Sequence, residues 1–567
     1  MFHRQLIARL LRLPPAQHAV AVERNLRVPT PDGIALATDH YFPKAAGSFP
    51  TILIRTPYGR GPSAGPSGVL LSVFPGQRFA ERGYHVVIQD TRGRYDSEGE
   101  FNPSINEAAD GCATLNWIAR QPWFNGSLGM WGRSYVGYVQ WAVVEDAPPH
   151  FKAMTASVTS SQFFTSNYPD GAFAFDAALQ WAFQIYETSR RARRPLWQRL
   201  LRNNPLLQKR FLAPAYRHLP LLEADTVAAG EPVPAYRELY AHTRPDDLYW
   251  KTRDHSVSAA QTTIPVHLLS GWYDLLQRET LADYARLKAA GRLPYLTIGP
   301  WPHTDLAWLG EELRQGLAWF NAHLKNDHGL LRTKPVRLYV MGAAPNGRSG
   351  EWREIDDWPP PATATRFYLH AQRCLSTDAP ETGSSPDHYR YDPADPTPAL
   401  AGPVLALPAG PTDNRALEAR PDVLTYTTPP LSSDVEVIGP VRLELYATSS
   451  LPYTDFFGRL CDVHPDGRSI NICDGLFRVE PGKGDLRQPD GSLRIEVDLW
   501  ATAMRFRRGH RLRLQVSSGA HPRWNRNLGT GEPVGTGTRM VAADQTIYHD
   551  RAHPSALVLP VVAGFNP

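Results

Sequence analysis

Residues Leu128–Gly137 read LGMWGRSYVG. A short apolar run ends in glycine, Ser134 stands between Gly132 and Gly137, and the helix-like segment Tyr138–Val144 follows. A serine hydroxyl is a weak nucleophile unless it is held exposed, within reach of a base and beside donors for an oxyanion. A tight strand-to-helix turn meets these conditions, and glycines beside it clear the space that the strand and helix need. The spacing departs from the G-x-S-x-G form, because Val136 occupies the last glycine's place and Gly137 comes after it. Taken alone, the segment is either a nucleophile turn or an ordinary βα turn with an incidental serine.

The flanking sequence favours the first reading. β-rich runs occur at Thr51–Thr56, His85–Thr91, Leu128–Trp131 and Ala153–Val158, and Ile105–Arg120 between them carries apolar residues at helical spacing. The rhythm returns with Ile264–Ser270 and Pro294–Ile298. Strands separated by helices imply a largely parallel sheet covered on both faces. An α/β hydrolase on such a sheet takes its acid and then its histidine later in the chain, each just after a strand. Asp274 follows the first returning run and His303 the second. His303 is then the base for Ser134, and Asp274 orients and stabilises its imidazolium. Asp305 is a weaker rival, since no strand of its own precedes it. The oxyanion donors are the backbone N–H of Tyr135 and a group from the loop Arg55–Gly59, where the hydroxyl of Tyr58 is either a donor or a packing contact.

These runs divide the chain into a core, 1–159 and 261–357, a helical cap inserted at 160–260, and a β domain at 358–567. The cap segment has no strand-like runs and is aromatic-rich, as in DAALQWAFQIY at Asp176–Tyr186. Trp358-Pro359-Pro360-Pro361 cannot continue a helix and suits a linker. Beyond it, period-two runs at Val441–Tyr446, Leu493–Leu499 and Arg511–Val516, separated by Pro-Asp-Gly turns, read as a β-sandwich or jelly roll.

Composition narrows the partners. The chain has 567 residues, 60 basic and 56 acidic, for a formal charge of +4, with no long basic stripe to suggest nucleic acid. The short cluster Arg190 to Arg194 reads as a solvated helix end. No run of about 18 apolar residues is present to span a membrane, and the amino terminus lacks the pattern of a signal peptide. Cytoplasmic residence is the expectation. Cys112, Cys374, Cys461 and Cys473 show no paired spacing, and HExxH is absent, so neither a metal nor a cofactor is expected. Cys461 and Cys473 flank the turn at Pro465–Gly467 and could face each other across a hairpin, but reduced, half-buried thiols are the preferred reading.

The motifs Ile54–Tyr58, Gln89–Arg94 with Ser97–Gly99, Gln121–Trp123, Gly132-x-Ser134-Tyr135-x-Gly137, Gly271–Asp274 and Gly299-Pro300-Trp301-x-His303 together resemble the cocaine-esterase-like hydrolases of the X-prolyl dipeptidyl-peptidase group. The likeness continues through Asp422–Tyr426, Asp434–Pro440 and Arg526–Gly531. It implies an α/β-hydrolase core, a helical cap and a carboxyl-terminal jelly roll with the active site between them. It also implies that Tyr58 is an oxyanion donor.

Arg92, Arg94 and Asp96 are expected to brace the core as an ion-pair cluster. Phe164, Trp181, Phe183, Tyr186, Trp272 and Trp301 are candidates for the substrate pocket, with packing the alternative for each. The expected reaction is hydrolysis of a small-molecule ester or amide through an acyl-enzyme. X-prolyl peptidase and α-amino-acid ester hydrolase or acylase activities are alternatives, as is a lapsed hydrolase that only binds. Leu275, Leu276 and Gln277 follow Asp274, and an apolar wall cannot compensate a buried ammonium, so a neutral acyl group is favoured. The oligomeric state is not legible in the sequence.

Overall fold

The computed structural model describes residues 2–189, 205–343, 349–405, 408–482 and 486–564; Arg190 to Arg194 lie outside them. The core is a ten-stranded sheet: β1 (Val20–Pro29), β2 (Ala35–Pro43), β3 (Thr51–Thr56), β4 (His85–Asp90), β5 (Leu128–Arg133), β6 (Phe151–Ser157), β7 (Val266–Tyr273), β8 (Tyr295–Pro302), β9 (Val336–Val340) and β10 (Glu351–Ile355), in the order β1-β2-β4-β3-β5-β6-β7-β8-β9-β10. From β4 to β9 every neighbouring pair is parallel. Helices Glu107–Ala119, Gln277–Ala289 and Trp308–Lys325 are among those connecting the strands. With both faces covered, strands such as TILIRT and HVVIQD are buried along their whole length. Parallel strands all end at one edge, so the loops after β3, β5, β7 and β8 meet there.

The periodicity reading passes over β1, β2, β9 and β10. These lie at the sheet's margins: β1 is largely solvent-facing, and the outer pairs β1–β2 and β9–β10 are antiparallel. Their half-polar sequences do not make continuous apolar runs.

β6 and β7 are parallel neighbours, so the chain between them is one crossover, and it has grown into the cap. Its principal helices are Phe175–Ser189, Pro205–Arg217, Ala224–Ala229 and Pro234–Ala241, and no strand interrupts the described part. The cap has a core of its own, including Phe173, Phe175, Leu179, Phe183, Tyr236 and Trp250.

The carboxyl-terminal domain is a jelly roll of eleven strands. Its strands run longer than their apolar alternation indicates. VRLELY is the centre of Val435–Ser449, which continues back through Gly439-Pro440, where a register shift between Pro440 and Arg442 gives the proline a place in the sheet. Thr454–Val463 and Ser469–Val479 form the expected hairpin. A bulge there pairs Cys461 with Asn471 and Cys473 with Leu460. Both thiols are free and fully buried rather than half-buried, and burial raises their pKa, so both stay protonated.

The jelly roll is joined to the core and cap by backbone hydrogen bonds. Met341 N–H donates to Ala503 O at 2.9 Å, and Asn525 N–H to Phe173 O at 2.9 Å. Tyr273 Oη–H donates to Asn471 O at 3.0 Å, and the amide of Gln277 donates to Ala501 O at 2.8 Å. Residues beside Asp274 are thus held by another domain.

Candidate active site

Ser134 sits at the turn from β5 into the helix Tyr135–Trp141 with φ 56° and ψ −128°. A positive φ in a residue with a Cβ costs about 1–3 kcal/mol and persists only where the surroundings enforce it. Enforcement comes from Ser134 N–H donating to Ser157 O at 2.9 Å and Tyr138 N–H donating to Ser134 O at 3.0 Å. The glycines show why the spacing is altered. A Cβ on Gly132 would lie 2.1 Å from Val136 Cγ1, so the valine fills space which Gly132 leaves. A Cβ on Gly137 would lie 2.7 Å from Thr159 Cβ, so the small residue is needed one place later.

His303 directly follows β8, and Asp274 directly follows β7. The hydroxyl of Ser134 lies 3.2 Å from His303 Nε2, and His303 Nδ1 lies 2.7 Å from Asp274 Oδ2. With Nδ1–H donating to the carboxylate, Nε2 is free to accept the serine proton. Asp274 is fully buried, and its other oxygen accepts the N–H of Leu276 at 2.7 Å. Asp305 instead accepts the N–H of Ala307 at 2.8 Å in the turn leading to the next helix.

Tyr58 Oη lies 3.5 Å from Ser134 Oγ and receives the indole N–H of Trp181 at 3.3 Å. The backbone N–H of Tyr135, the other expected oxyanion donor, is near enough to this phenol oxygen to oppose the rise of its pKa. Burial pushes the Tyr58 pKa up, which keeps the phenol protonated and able to donate. Behind the turn, Tyr135 Oη–H donates to Glu107 Oε1 at 2.9 Å, and Glu107 is ion-paired to Arg55 at 3.0 Å.

The expected Arg92–Arg94–Asp96 cluster is corrected. Arg92 pairs with Asp32 and Asp110, and Asp96 pairs with Arg60, which also holds Asp39 and Asp90. Among the described residues Arg94 has no carboxylate in its hydrogen-bond set. Its guanidinium donates to Pro57 O at 2.9 Å, to Ile185 O at 3.1 Å, to Thr188 Oγ1 at 2.5 Å and to the hydroxyl of Ser189. It therefore ties the loop of Tyr58 to the cap helix that carries Trp181, a role that sequence spacing does not reveal. On the other side of the site Arg133 donates to His303 O at 3.4 Å and faces the buried carboxyl of Glu312 at 4.0 Å. Burial raises the Glu312 pKa.

Of the six aromatic pocket candidates, Trp181 is placed at the serine. Phe183 is in the cap's own core, and Tyr186 packs against that core and bonds Glu231. Phe164 lines a separate cleft with Pro245 and Trp250. Trp272 points its N–H to Tyr339 O at 2.7 Å and packs on Trp358. Trp301 packs against Trp308 and Trp352. Aromatic side chains of this size bury in the nearest core unless a cavity is kept open for them.

A cavity is instead lined from three sides: Thr165 and Asp176 of the cap, Leu275 and Glu279 of the core, and Trp500 and Arg523 of the jelly roll. It adjoins the site at two places. Leu275 is the residue after Asp274, and Ala177, another lining residue, lies one helical turn before Trp181. Burial raises the Glu279 pKa to about 7. Glu279 is five residues past Asp274, beyond the apolar Leu275-Leu276, and the signal that could have found it is an acidic residue on the buried face of the helix Gln277–Ala289.

Residues 32–305 match the family model of X-Pro dipeptidyl-peptidase (S15 family), and residues 328–558 that of the X-Pro dipeptidyl-peptidase C-terminal non-catalytic domain. Over 583 residues the chain is 34% identical to cocaine esterase of Rhodococcus sp. (strain MB1 Bresler), covering 96% of this chain and 99% of the relative. The chain belongs to the X-Pro dipeptidyl-peptidase (S15) family. It is a hydrolase, as its family relatives are. Among solved structures, an aminopeptidase of the marine sediment archaeon Thaumarchaeota archaeon superposes with a TM-score of 0.79, and an α-amino acid ester hydrolase with 0.77. Each is 23% identical and is matched over 96% of this chain and 97% of its own. At that identity the S15-family fold is what they share with it.

One grouping with metal-ligand spacing occurs among the described residues, Asp462, His464 and His510. It lies in the jelly roll, where Asp462 accepts from His510 Nδ1 at 2.9 Å. Tertiary contact assembles it, so no local motif announces it.

Proposed function

We propose that the chain hydrolyses small carboxylic esters, or amides, through an acyl-enzyme on Ser134. His303 Nε2 takes the hydroxyl proton as Oγ bonds to the substrate carbonyl carbon. The carbonyl oxygen becomes an oxyanion that accepts from Tyr58 Oη–H and the N–H of Tyr135. The C–O or C–N bond then breaks, and the leaving group carries off the proton held by His303. Water repeats the sequence on the acyl-enzyme, regenerating Ser134 and releasing the acid. Asp274 keeps the imidazole oriented and stabilises its cationic form. The observation that carries this reading is the serine at 3.2 Å from a histidine that is itself 2.7 Å from a buried carboxylate. A lapsed, binding-only hydrolase would have no need to preserve the strained backbone at Ser134. Free cysteines and the absence, among the described residues, of any helix long and apolar enough to cross a membrane support our assignment to the cytoplasm.

The test is covalent. A fluorophosphonate should label the protein at Ser134 and stop ester hydrolysis in proportion to labelling. Label on another residue, with Ser134 untouched and activity lost, would assign the nucleophile elsewhere.

A further inference from the structure

The cavity beside the triad carries two unanswered polar atoms. Glu279 is 3% exposed; its Oε1 accepts from Thr165 Oγ1 at 3.2 Å, while its buried Oε2 has no hydrogen-bond partner among the described residues. Arg523 is 6% exposed; its Nη1 is bound to Asp474 and its guanidinium lies over the rings of Trp500 and Trp524, while its buried Nη2 has no hydrogen-bond partner among the described residues. A buried polar atom left unsatisfied costs about 1–3 kcal/mol, and a charged one more. Two in one cavity are a reason to look for a ligand that answers both. A third, independent feature lies in the same wall. Trp500 has φ 68°, a true outlier for a bulky residue, and such strain gathers at ligand-binding sites.

Charge decides what fits. A lone ammonium could pair with Glu279 but could not answer the N–H donor at Arg523 Nη2; a lone carboxylate could answer that donor but would meet Glu279 and Asp176. A neutral group that presents one N–H donor and one carbonyl acceptor is favoured by both. The walls of Leu275, Val404, Leu405, Trp500 and Trp524 suit the flat, half-apolar body of such a group.

We propose that this cavity is a subsite for a secondary amide of the substrate, its N–H donating to Glu279 Oε2 and its C=O accepting from Arg523 Nη2. The inference rests on the hydrolase reading above and deepens it: the substrates are esters or amides that carry a second, uncleaved amide. Because the cavity adjoins both Asp274 and the Trp181 helix, that amide belongs close to the scissile carbonyl.

The experiment uses substrates that delete one atom group at a time. On the acyl side these are the methyl esters of N-acetylglycine, of N-acetylsarcosine, of 4-oxopentanoate (N–H replaced by CH₂) and of pentanoate (the carbonyl removed as well). On the alcohol side they are the acetates of N-acetylethanolamine and of 5-hydroxypentan-2-one. With the wild-type protein, deleting the N–H should lower kcat/KM by about 10–100-fold in one of the two arms, the loss expected for a hydrogen bond to a charged group. Deleting the acyl-side carbonyl should lower it again. Glu279→Leu should level the amide with its N–H-deleted partner. Equal kcat/KM across both wild-type series would overturn the proposal, and that result needs no variant to fold. It is distinguishable from failure of the hydrolase reading, in which no ester, pentanoate included, is cleaved in a Ser134-dependent way, an outcome that would overturn both.

Discussion

The corner of the sheet that holds Ser134 and the cavity that holds Glu279 are built on opposite plans. At the corner, every reacting group has its partner. Ser134 faces His303, His303 faces Asp274, and Asp274 accepts a backbone N–H. Strand ends of one sheet deliver all three, and only Trp181, through Tyr58, comes from outside the core. In the cavity the polar groups come from three domains, and two of them each keep one atom without a hydrogen-bond partner among the described residues. The difference teaches where each property is encoded. The meeting of serine, histidine and aspartate follows from secondary structure, with each group already partnered. Recognition is assembled by domain docking and is left open for a ligand to finish.

The largest break in this comparison is at the corner. Ser134→Ala or His303→Ala should lower kcat by about 10⁴-fold or more, because triad members act as a unit. Steady-state kinetics on a small ester, with a thermal melt to show an intact fold, checks this; near-normal turnover in Ser134→Ala would remove the central assignment.

Next is Tyr58→Phe, which deletes one oxyanion donor and leaves the ring. Turnover should fall by about 10²–10³-fold with little change in KM, since the ground-state carbonyl does not need the full hydrogen bond. Equal losses expressed in KM would instead mark Tyr58 as a binding residue.

The cavity is probed by pH. The Glu279 pKa is raised by burial from 4.5 to about 7, so the folded chain holds this proton more tightly than the unfolded chain does. Its contribution to stability is therefore greatest below pH 4.5 and falls as pH rises to about 7, above which it is constant. Over that window the wild-type protein should lose up to about 3 kcal/mol relative to Glu279→Gln, which cannot ionise. Urea melts of the two proteins at pH 4.5 and 7.5 measure the difference. Parallel pH dependence would place the Glu279 carboxylate in a better-solvated setting than the cavity gives it.

The smallest effect is expected from chelation. Asp462, His464 and His510 lie in the jelly roll and take no part in the corner's proton path, so EDTA should leave kcat unchanged. Loss of activity in chelator, restored by zinc, would tie that grouping to the reaction.

Several features of both regions were within reach of the sequence, and their limits are instructive. That Ser134, Asp274 and His303 would meet was legible because each stands directly after a buried strand, and strand ends in a parallel sheet share an edge. Tyr58 was ambiguous from its loop alone and was assigned by resemblance; its 3.5 Å approach to Ser134 depends on the Trp181 and Arg94 contacts made by a cap helix more than a hundred residues later. The aromatic candidates failed for the complementary reason. Phe183, Trp272 and Trp301 have the right composition for a pocket, but each is turned into a packed interior by neighbours distant in sequence. Arg94 was grouped with acidic neighbours that pair with other arginines.

By itself, then, the amino-acid order determined the parallel sheet, the helical insertion, the β domain and the delivery of Ser134, Asp274 and His303 to one sheet edge, because burial periodicity and turn chemistry are local and act within a few residues. Only the tertiary structure decided which buried polar atoms stay unpaired, which aromatic faces the serine and which acid lines the cavity. Those outcomes depend on whether a donor from another domain comes within about 3 Å. Glu279 and Arg523 are 244 residues apart in the chain, and only docking of the jelly roll onto the core places them on one wall.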